Sequence, residues 1–346
     1  MKTCTTLAVL LLAAHTLSAA HARAFTYEPT PAGWVLSHCI HTVPSDSHIH
    51  EQPDGSTHVL HPSLDGGRRV IPECDTQDGA YAVLVPRAHA EDAQQAALVG
   101  YKNTTTAAAA PSRRRLQLPP DYNGWLQYTA YEDAAGFDAF LGYFSVPDVP
   151  KKVPQVLYLF TGLQNIDWIP KHDPMPSAAF DIIQPVLQFP CGFLNLGWCV
   201  KSWYVTTKAG ALQSTALSVK AGDNIYGNMT RTGGDAWFVG SLSNATGQST
   251  NLNAHNAARL KSQPWAYNTL ECYGCNGCGT YPKQPSRFTE LALVESETKK
   301  AVEAAWEVNP KPASDEQCKE GTIVEDPATV TIYFNGKPQE QQQQEN

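Results

Sequence analysis

The chain has 346 residues, long enough for one large or two modest domains, and its 42% hydrophobic content is that of a folded protein with a core. Lys and Arg number 25 against 33 Asp and Glu, a formal net charge of −8. That balance excludes binding driven by a basic nucleic-acid footprint, so nucleic acid is not an expected partner.

The first residues read as a secretory leader over 1–24. Lys2 supplies the positive start, Leu7 to Ala14 a short apolar run, and Ser18-Ala19-Ala20 and Ala22-Arg23-Ala24 small residues for cleavage. The apolar run is too short to span a bilayer, and no later stretch reaches about 18 apolar residues. A secreted, vacuolar or wall-associated product is expected, with no membrane span.

Residues 25–102 form a His-rich N-terminal unit or prosegment. Six of the eleven histidines fall between residues 38 and 61: His38, His41, His48, His50, His58 and His61. His48 and His50 share one face of an extended segment and could ligate a metal, although the broader reading is a solvated polar surface. Ser56 to His61 and Ala80 to Pro86 read as strands. Residues 103–121 read as an exposed linker in which Arg113, Arg114 and Arg115 are either a processing site cut after Arg115 or a plain basic stretch.

Over 122–336 the pattern changes to short runs of Val, Ile, Tyr, Phe, Trp and Thr separated by Gly, Pro, Asn and Asp. Examples are Gly124 to Tyr131, Ala139 to Val146, Ala179 to Phe189, Lys201 to Thr207, Asn224 to Thr230 and Trp265 to Tyr273. This spacing predicts an all-β antiparallel sandwich or barrel. Acids and lysines around Val294, Ala301 and Ala305 predict one C-terminal helix over Leu291 to Glu307. The Gln-rich tail, 337–346, reads as disordered.

Cysteine usage fits export. Cys4 leaves with the leader, and eight remain: Cys39, Cys74, Cys191, Cys199, Cys272, Cys275, Cys278 and Cys318. An even set in an exported chain predicts disulfides, with Cys39–Cys74 and Cys191–Cys199 as local pairs and the last four left open. The run Cys272 to Cys278 has a zinc-knuckle look but reads better as a disulfide-pinned loop. Asn103, Asn228 and Asn244 sit in glycosylation sequons. Asp167 and Asp173, in a Pro-rich loop, read as loop acids rather than calcium or sugar ligands.

Two strands carry the chemistry. In Ile182 to Phe189, Gln184 shares a face with Ile182, Val186 and Gln188. In Ala266 to Tyr273, Glu271 shares a face with Tyr267, Thr269 and Tyr273, and with Trp265 just before. Trp203 and Tyr204 add aromatic groups on a neighbouring strand. A carboxylate in an apolar wall has a raised pKa, and an amide can stabilise an oxyanion without titrating. There is no Gly-Xaa-Ser-Xaa-Gly elbow, phosphate loop or His-Glu-Xaa-Xaa-His helix.

These segments resemble the glutamic peptidases of the eqolisin family across roughly residues 155–275. Leu159 to Asn165 resembles that family's Trp-Val-Gly-Ile-Asp-Gly strand, and Ile182 to Phe189 its Ile-Leu-Gln-Thr-Gly-Val-Asp-Phe segment. Ser202-Trp203-Tyr204 resembles Ala-Trp-Tyr-Glu-Trp, Leu217 to Ile225 resembles Ile-Ser-Ala-Gly-Asp-Thr-Ile, and Ala266 to Tyr273 resembles Ala-Glu-Trp-Ile-Val-Glu-Asp-Phe. Gln188 and Cys272 stand where the family has Asp, and Asn268 where it has Trp. The resemblance implies a concanavalin-like jelly roll, a Gln184 and Glu271 catalytic pair, and an acid endopeptidase acting on polypeptide. It implies substrate contacts at Trp203, Tyr204, Trp265, Tyr267 and Tyr273, with no cofactor and no metal. The alternative is a non-catalytic extracellular module that binds carbohydrate or protein on the same aromatic face.

Overall fold

A computed structural model describes residues 27–74, 83–84, 124–153, 155–166, 180–192, 194–256, 260–309 and 318–336. The leader, Asn103, the three arginines, Asp167, Asp173 and the tail lie outside the described residues.

Seven strands come from the N-terminal segment: β1 (Tyr27–Thr30), β2 (Gly33–Leu36), β3 (Ile40–Val43), β4 (Ser47–Glu51), β5 (Thr57–Leu60), β6 (Arg68–Ile71) and β7 (Val83–Leu84). Then follow β8 (Trp125–Glu132), β9 (Phe137–Ser145), β10 (Val156–Gln164), β11 (Asp181–Phe189), β12 (Trp198–Thr206), β13 (Gly210–Ser214), β14 (Leu217–Val219) and β15 (Asn224–Gly233). The chain continues through β16 (Ala236–Ser243), β17 (Ser249–His255), β18 (Trp265–Tyr273), β19 (Ser286–Glu295), β20 (Ala301–Val302), β21 (Glu307–Asn309), β22 (Gly321–Asp326) and β23 (Thr329–Tyr333).

Two large sheets make a sandwich. The first runs β21-β8-β18-β10-β11-β12-β13-β3, with β14 beside β12. The second runs β22-β23-β19-β9-β15-β16-β17-β4-β5-β6, with β20 beside β19. A third, small sheet, β1-β2-β7, stands apart from both ladders. Side chains alternate across each strand, so each sheet sends every second residue into the shared core. Phe140, Phe144, Leu187, Trp198, Trp237 and Leu252 meet there, all essentially inaccessible to water.

The first sheet is buried on its other face too. Trp125, Tyr158, Phe160, Trp203 and Tyr267 form a second apolar cluster there, with Trp34 and Val35 of β2 packed onto it. A sheet covered on both sides loses the apolar-in, polar-out alternation. That is why all of β11 except Gln188 is buried, polar residues included.

The His-rich segment builds no core of its own. Its β3 pairs in parallel with β13 at the edge of the first sheet, and β4 pairs in parallel with β17 in the second. Val43, Ile49, Val59 and Ile71 enter the inter-sheet core.

The expected helix over Leu291 to Glu307 is absent: that stretch is the end of β19, a turn, β20, and the start of β21. Leu291, Leu293 and Glu295 alternate inward at strand spacing. The charged residues that suggested helix spacing belong to the turn. There the Glu295 carboxylate accepts from the backbone of Glu297 and Thr298 at 3.1 and 3.0 Å and from the Thr298 hydroxyl, and Lys299 takes a positive φ of 56°.

The four disulfides are Cys39–Cys74, Cys191–Cys199, Cys272–Cys275 and Cys278–Cys318. The loop after β18 is therefore pinned by disulfides. None of the four joins the N-terminal segment to the rest of the sandwich.

Candidate functional site

Glu271 and Gln184 lie on the same face of the first sheet, the face covered by β1 and β2. Both are completely buried. On β18, Tyr267, Glu271 and Tyr273 point to this face, while Ala266, Leu270 and Cys272 enter the inter-sheet core. Trp265 packs at the margin of the covered cluster, stacked on Tyr267 at 6.3 Å between ring centroids.

The sheet register fixes the spacing of the pair. Tyr158 of β10 lies opposite Glu271 on one side and opposite Gln188 on the other. Gln188, not Gln184, is therefore level with Glu271. Gln184 lies four residues further along β11, about 13 Å at strand rise. Its own neighbour on β12 is Trp203. Gln188 turns its amide to the Pro190 carbonyl at 3.0 Å.

What connects the two positions is the tip of the β1–β2 hairpin. Thr30 and Gly33 pair across a two-residue loop, Pro31-Ala32, and the Thr30 hydroxyl donates to the Gly33 carbonyl at 2.8 Å. Gly33 has φ of 117°, a backbone conformation that a side chain resists. The Gln184 Nε2 donates to the Pro31 carbonyl at 3.0 Å. The Tyr158 hydroxyl donates to the Pro29 carbonyl at 2.7 Å. Trp34 meets Tyr273 edge to face, centroids 5.0 Å apart. The tip of the hairpin thus lies across both polar groups.

Burial pushes the Glu271 carboxyl well above the ordinary carboxylate range. The Tyr273 hydroxyl donates to Glu271 Oε1, and the N–H groups of Trp125 and Gly33 also favour the ionised form, but burial outweighs them. Glu271 Oε2 has no partner in hydrogen-bond geometry among the described residues. Burial with one oxygen left open favours the protonated form over the ionised one. The neighbouring Tyr158 hydroxyl is raised well above its usual range, by burial first and by the Glu271 charge second.

One expected contact residue lies elsewhere. Tyr204 follows Trp203 directly, so strand alternation sends it into the inter-sheet core. Its hydroxyl bonds Glu51 and Asn256 there, at 3.4 and 3.1 Å. Trp203 stays on the covered face, with the Lys201 ammonium 5.7 Å from its ring. The sequence reading did not anticipate Trp34, Trp125 or Tyr158 at this site. Trp125 and Tyr158 carry a legible signal, since each is level with Glu271 on an adjacent strand. Of the sequon residues, Asn244 is exposed and Asn228 half-buried, with its Oδ1 accepting from Thr230.

No family model matches the chain, and no curated protein matches it either. Solved structures do. The chain is similar to scytalido-glutamic peptidase bound to a transition-state analogue inhibitor, with 14% identity, TM-score 0.45, 62% of this chain and 99% of that one covered. It is similar to aspergilloglutamic peptidase from Aspergillus niger at 15% identity, TM-score 0.34, covering 52% and 98%. A κ-carrageenase from Pseudoalteromonas carrageenovora, in complex with an oligosaccharide, matches at 9% identity, TM-score 0.25, covering 59% and 68%.

Proposed function

We propose that the chain is a secreted acid endopeptidase of glutamic type, held latent by its own N-terminal hairpin. The observation that carries this reading is the Gln184 side-chain amide bound to a backbone carbonyl at the hairpin tip, with the N–H two residues further along the same segment near Glu271.

With the hairpin displaced, water and a substrate strand occupy its place. Glu271, solvated and ionised, takes a proton from the attacking water as its oxygen bonds the scissile carbonyl carbon. Gln184 donates its amide N–H to the oxyanion. The C–N bond then breaks, and Glu271 returns the proton to the leaving amine. Trp203, Tyr267, Tyr273 and Trp265 supply the wall against which substrate side chains lie.

The hairpin itself is not positioned for cleavage. The Pro31 carbonyl belongs to the peptide joining residues 31 and 32, whereas the Gly33 N–H near Glu271 belongs to the next peptide. Catalysis needs both groups on one peptide unit, so the hairpin fills the groove one unit out of register. Cleavage after Arg115 and loss of residues 25–115 would clear it.

The test is hydrolysis of a denatured protein between about pH 2 and 6, where a carboxylate base titrates, before and after limited proteolysis of the N-terminal segment. The expected outcome is activity only after proteolysis. Gln184→Ala should lower kcat by about 10²–10³-fold and Glu271→Gln by at least about 10²-fold, in variants with unchanged circular dichroism. The spacing of Gln184 from the level of Glu271 favours one second reading, a binding module that uses the uncovered aromatic face. A cleared wild-type protein that hydrolyses nothing but retains oligosaccharide or peptide would establish that reading instead.

A further inference from the structure

Far from the covered face, three histidines meet on the outer side of the second sheet. His48 and His50 are two apart on β4, so both side chains leave the same face. Strand β4 pairs in parallel with β17, and the register sets His255 beside His50. The His50 and His255 rings stack at 4.2 Å, 8° from parallel, and His48 stacks on His255 at 5.7 Å. His48 Nδ1 and His255 Nε2 are 3.5 Å apart. One ring nitrogen from each of the three residues lies within 4.8 Å of the other two.

Those spacings match a coordination shell. Three nitrogens bound at about 2.0–2.1 Å in tetrahedral geometry are roughly 3.3–3.4 Å apart. The His48–His255 edge is already close to that value. The other edges close by side-chain rotation, since His48 is exposed and His50 and His255 are half-buried. The strand backbones need not move. We propose that His48, His50 and His255 form a binding site for a divalent transition cation such as Zn(II), Ni(II) or Cu(II), tying the N-terminal segment to the sandwich.

Ligand chemistry selects the cation class. Three imidazoles suit borderline transition ions and offer nothing to Ca²⁺ or Mg²⁺, which want oxygen. Three protein ligands leave a fourth position for water. His58, opposite His50 on β5, does not join the set: the Arg68 guanidinium rests on its ring nitrogens at 2.8 and 3.2 Å. The Asp235 carboxylate acts electrostatically on both His50 and His255 and supplies a compensating negative charge.

The position gives the site its consequence. Two ligands come from the segment that carries the covering hairpin and the third from the body of the sandwich. An ion here spans a seam that no disulfide crosses among the described residues. The site stands independently of whether Glu271 and Gln184 catalyse anything.

The test is calorimetric titration of the metal-stripped full chain with ZnCl₂, NiCl₂, CaCl₂ and MgCl₂ at pH 7.5. Hydrogen exchange over Ser47–Glu51 is followed with and without Zn(II). The expected result is one Zn(II) or Ni(II) per chain with Kd in the micromolar range or tighter, no Ca²⁺ or Mg²⁺ binding, and exchange in β4 slowed at least tenfold. His255→Gln and His50→Gln should each weaken binding at least tenfold and abolish the slowing, whereas His58→Gln should change neither. The three positions are on a solvent-facing strand surface, and an unchanged metal-free melting temperature shows that each variant folds. Zn(II) affinity unaltered by His255→Gln, or no binding below millimolar metal, overturns the proposal.

Discussion

Replacing Trp34 with Ala tests whether the β1–β2 hairpin is a separable cover or part of the essential core. Trp34 is 7% exposed and sits edge to face on Tyr273. Removing a buried indole costs about 3–5 kcal/mol when the surroundings do not collapse. At about 1.4 kcal/mol per tenfold, that is roughly a 10²- to 10³-fold or greater rise in the open population of the hairpin. The bonds from Gln184 to Pro31 and from Tyr158 to Pro29 remain, so the closed state is weakened by this factor rather than abolished. The assay is native-state hydrogen exchange read on a peptide covering Tyr27–Leu36, compared with one from β15 and β16 in the second sheet. Protection of the hairpin should fall by the stated factor while that of β15 and β16 stays within about threefold. Equal loss in both peptides would refute the idea of an independently opening cover. No loss in either would show that Trp34 contributes little to holding it.

Two further expectations concern acidity. Glu271 is a carboxyl whose folded pKa is raised, so the closed state is favoured below the unfolded value of about 4.3 and loses stability as pH rises above it. Glu271→Gln should flatten that decline in melting temperatures taken from pH 4 to 8, and a decline equal to wild type would exclude Glu271 as its source. His41 has the opposite sign: burial, with the charges of Arg69 and His38, holds it at about 4. It therefore withdraws stability as pH falls from its unfolded value of about 6.5 towards 4. His41→Asn should reduce the difference between urea midpoints at pH 4.5 and 7. Finally, the Cys39–Cys74 link closes a separation of 35 residues. Chain entropy alone gives it about 4 kcal/mol, so the double serine variant should lose protection in β1–β6 by hydrogen exchange before it loses any in β15.

The strands that carry Gln184 and Glu271 were legible because their signal is local. Trp265 to Tyr273 and Ala179 to Phe189 each contain a run of β-formers bounded by breakers, and the alternation placed Gln184 and Glu271 on faces that proved to be the same. Tyr204 was misplaced because two adjacent aromatics were assigned one role, which a strand forbids. The Leu291 to Glu307 helix was misread because charges at helical spacing cannot be told from a charged hairpin turn without knowing that Glu295 caps it. The hairpin cover and the His255 neighbour of His50 were not legible at all. Each depends on pairing between residues more than 150 apart in the chain, Pro31 with Gln184 and His50 with His255, and no local pattern encodes that choice of partner.

The distribution of the disulfides changes what kind of event the loss of the hairpin would be. Cys39–Cys74 closes within the N-terminal segment, and the other three close within the body. While the chain is continuous, the cover meets its groove as an intramolecular partner, at an effective concentration that dilution does not change. One backbone cut between residues 74 and 124 turns the same contact into a bimolecular one, governed by mass action. Dilution into a large volume would then strip the cover, and a confined volume would restore it. The released piece builds no core of its own, so leaving would also separate its β3 and β4 from β13 and β17, where they extend the two sheets.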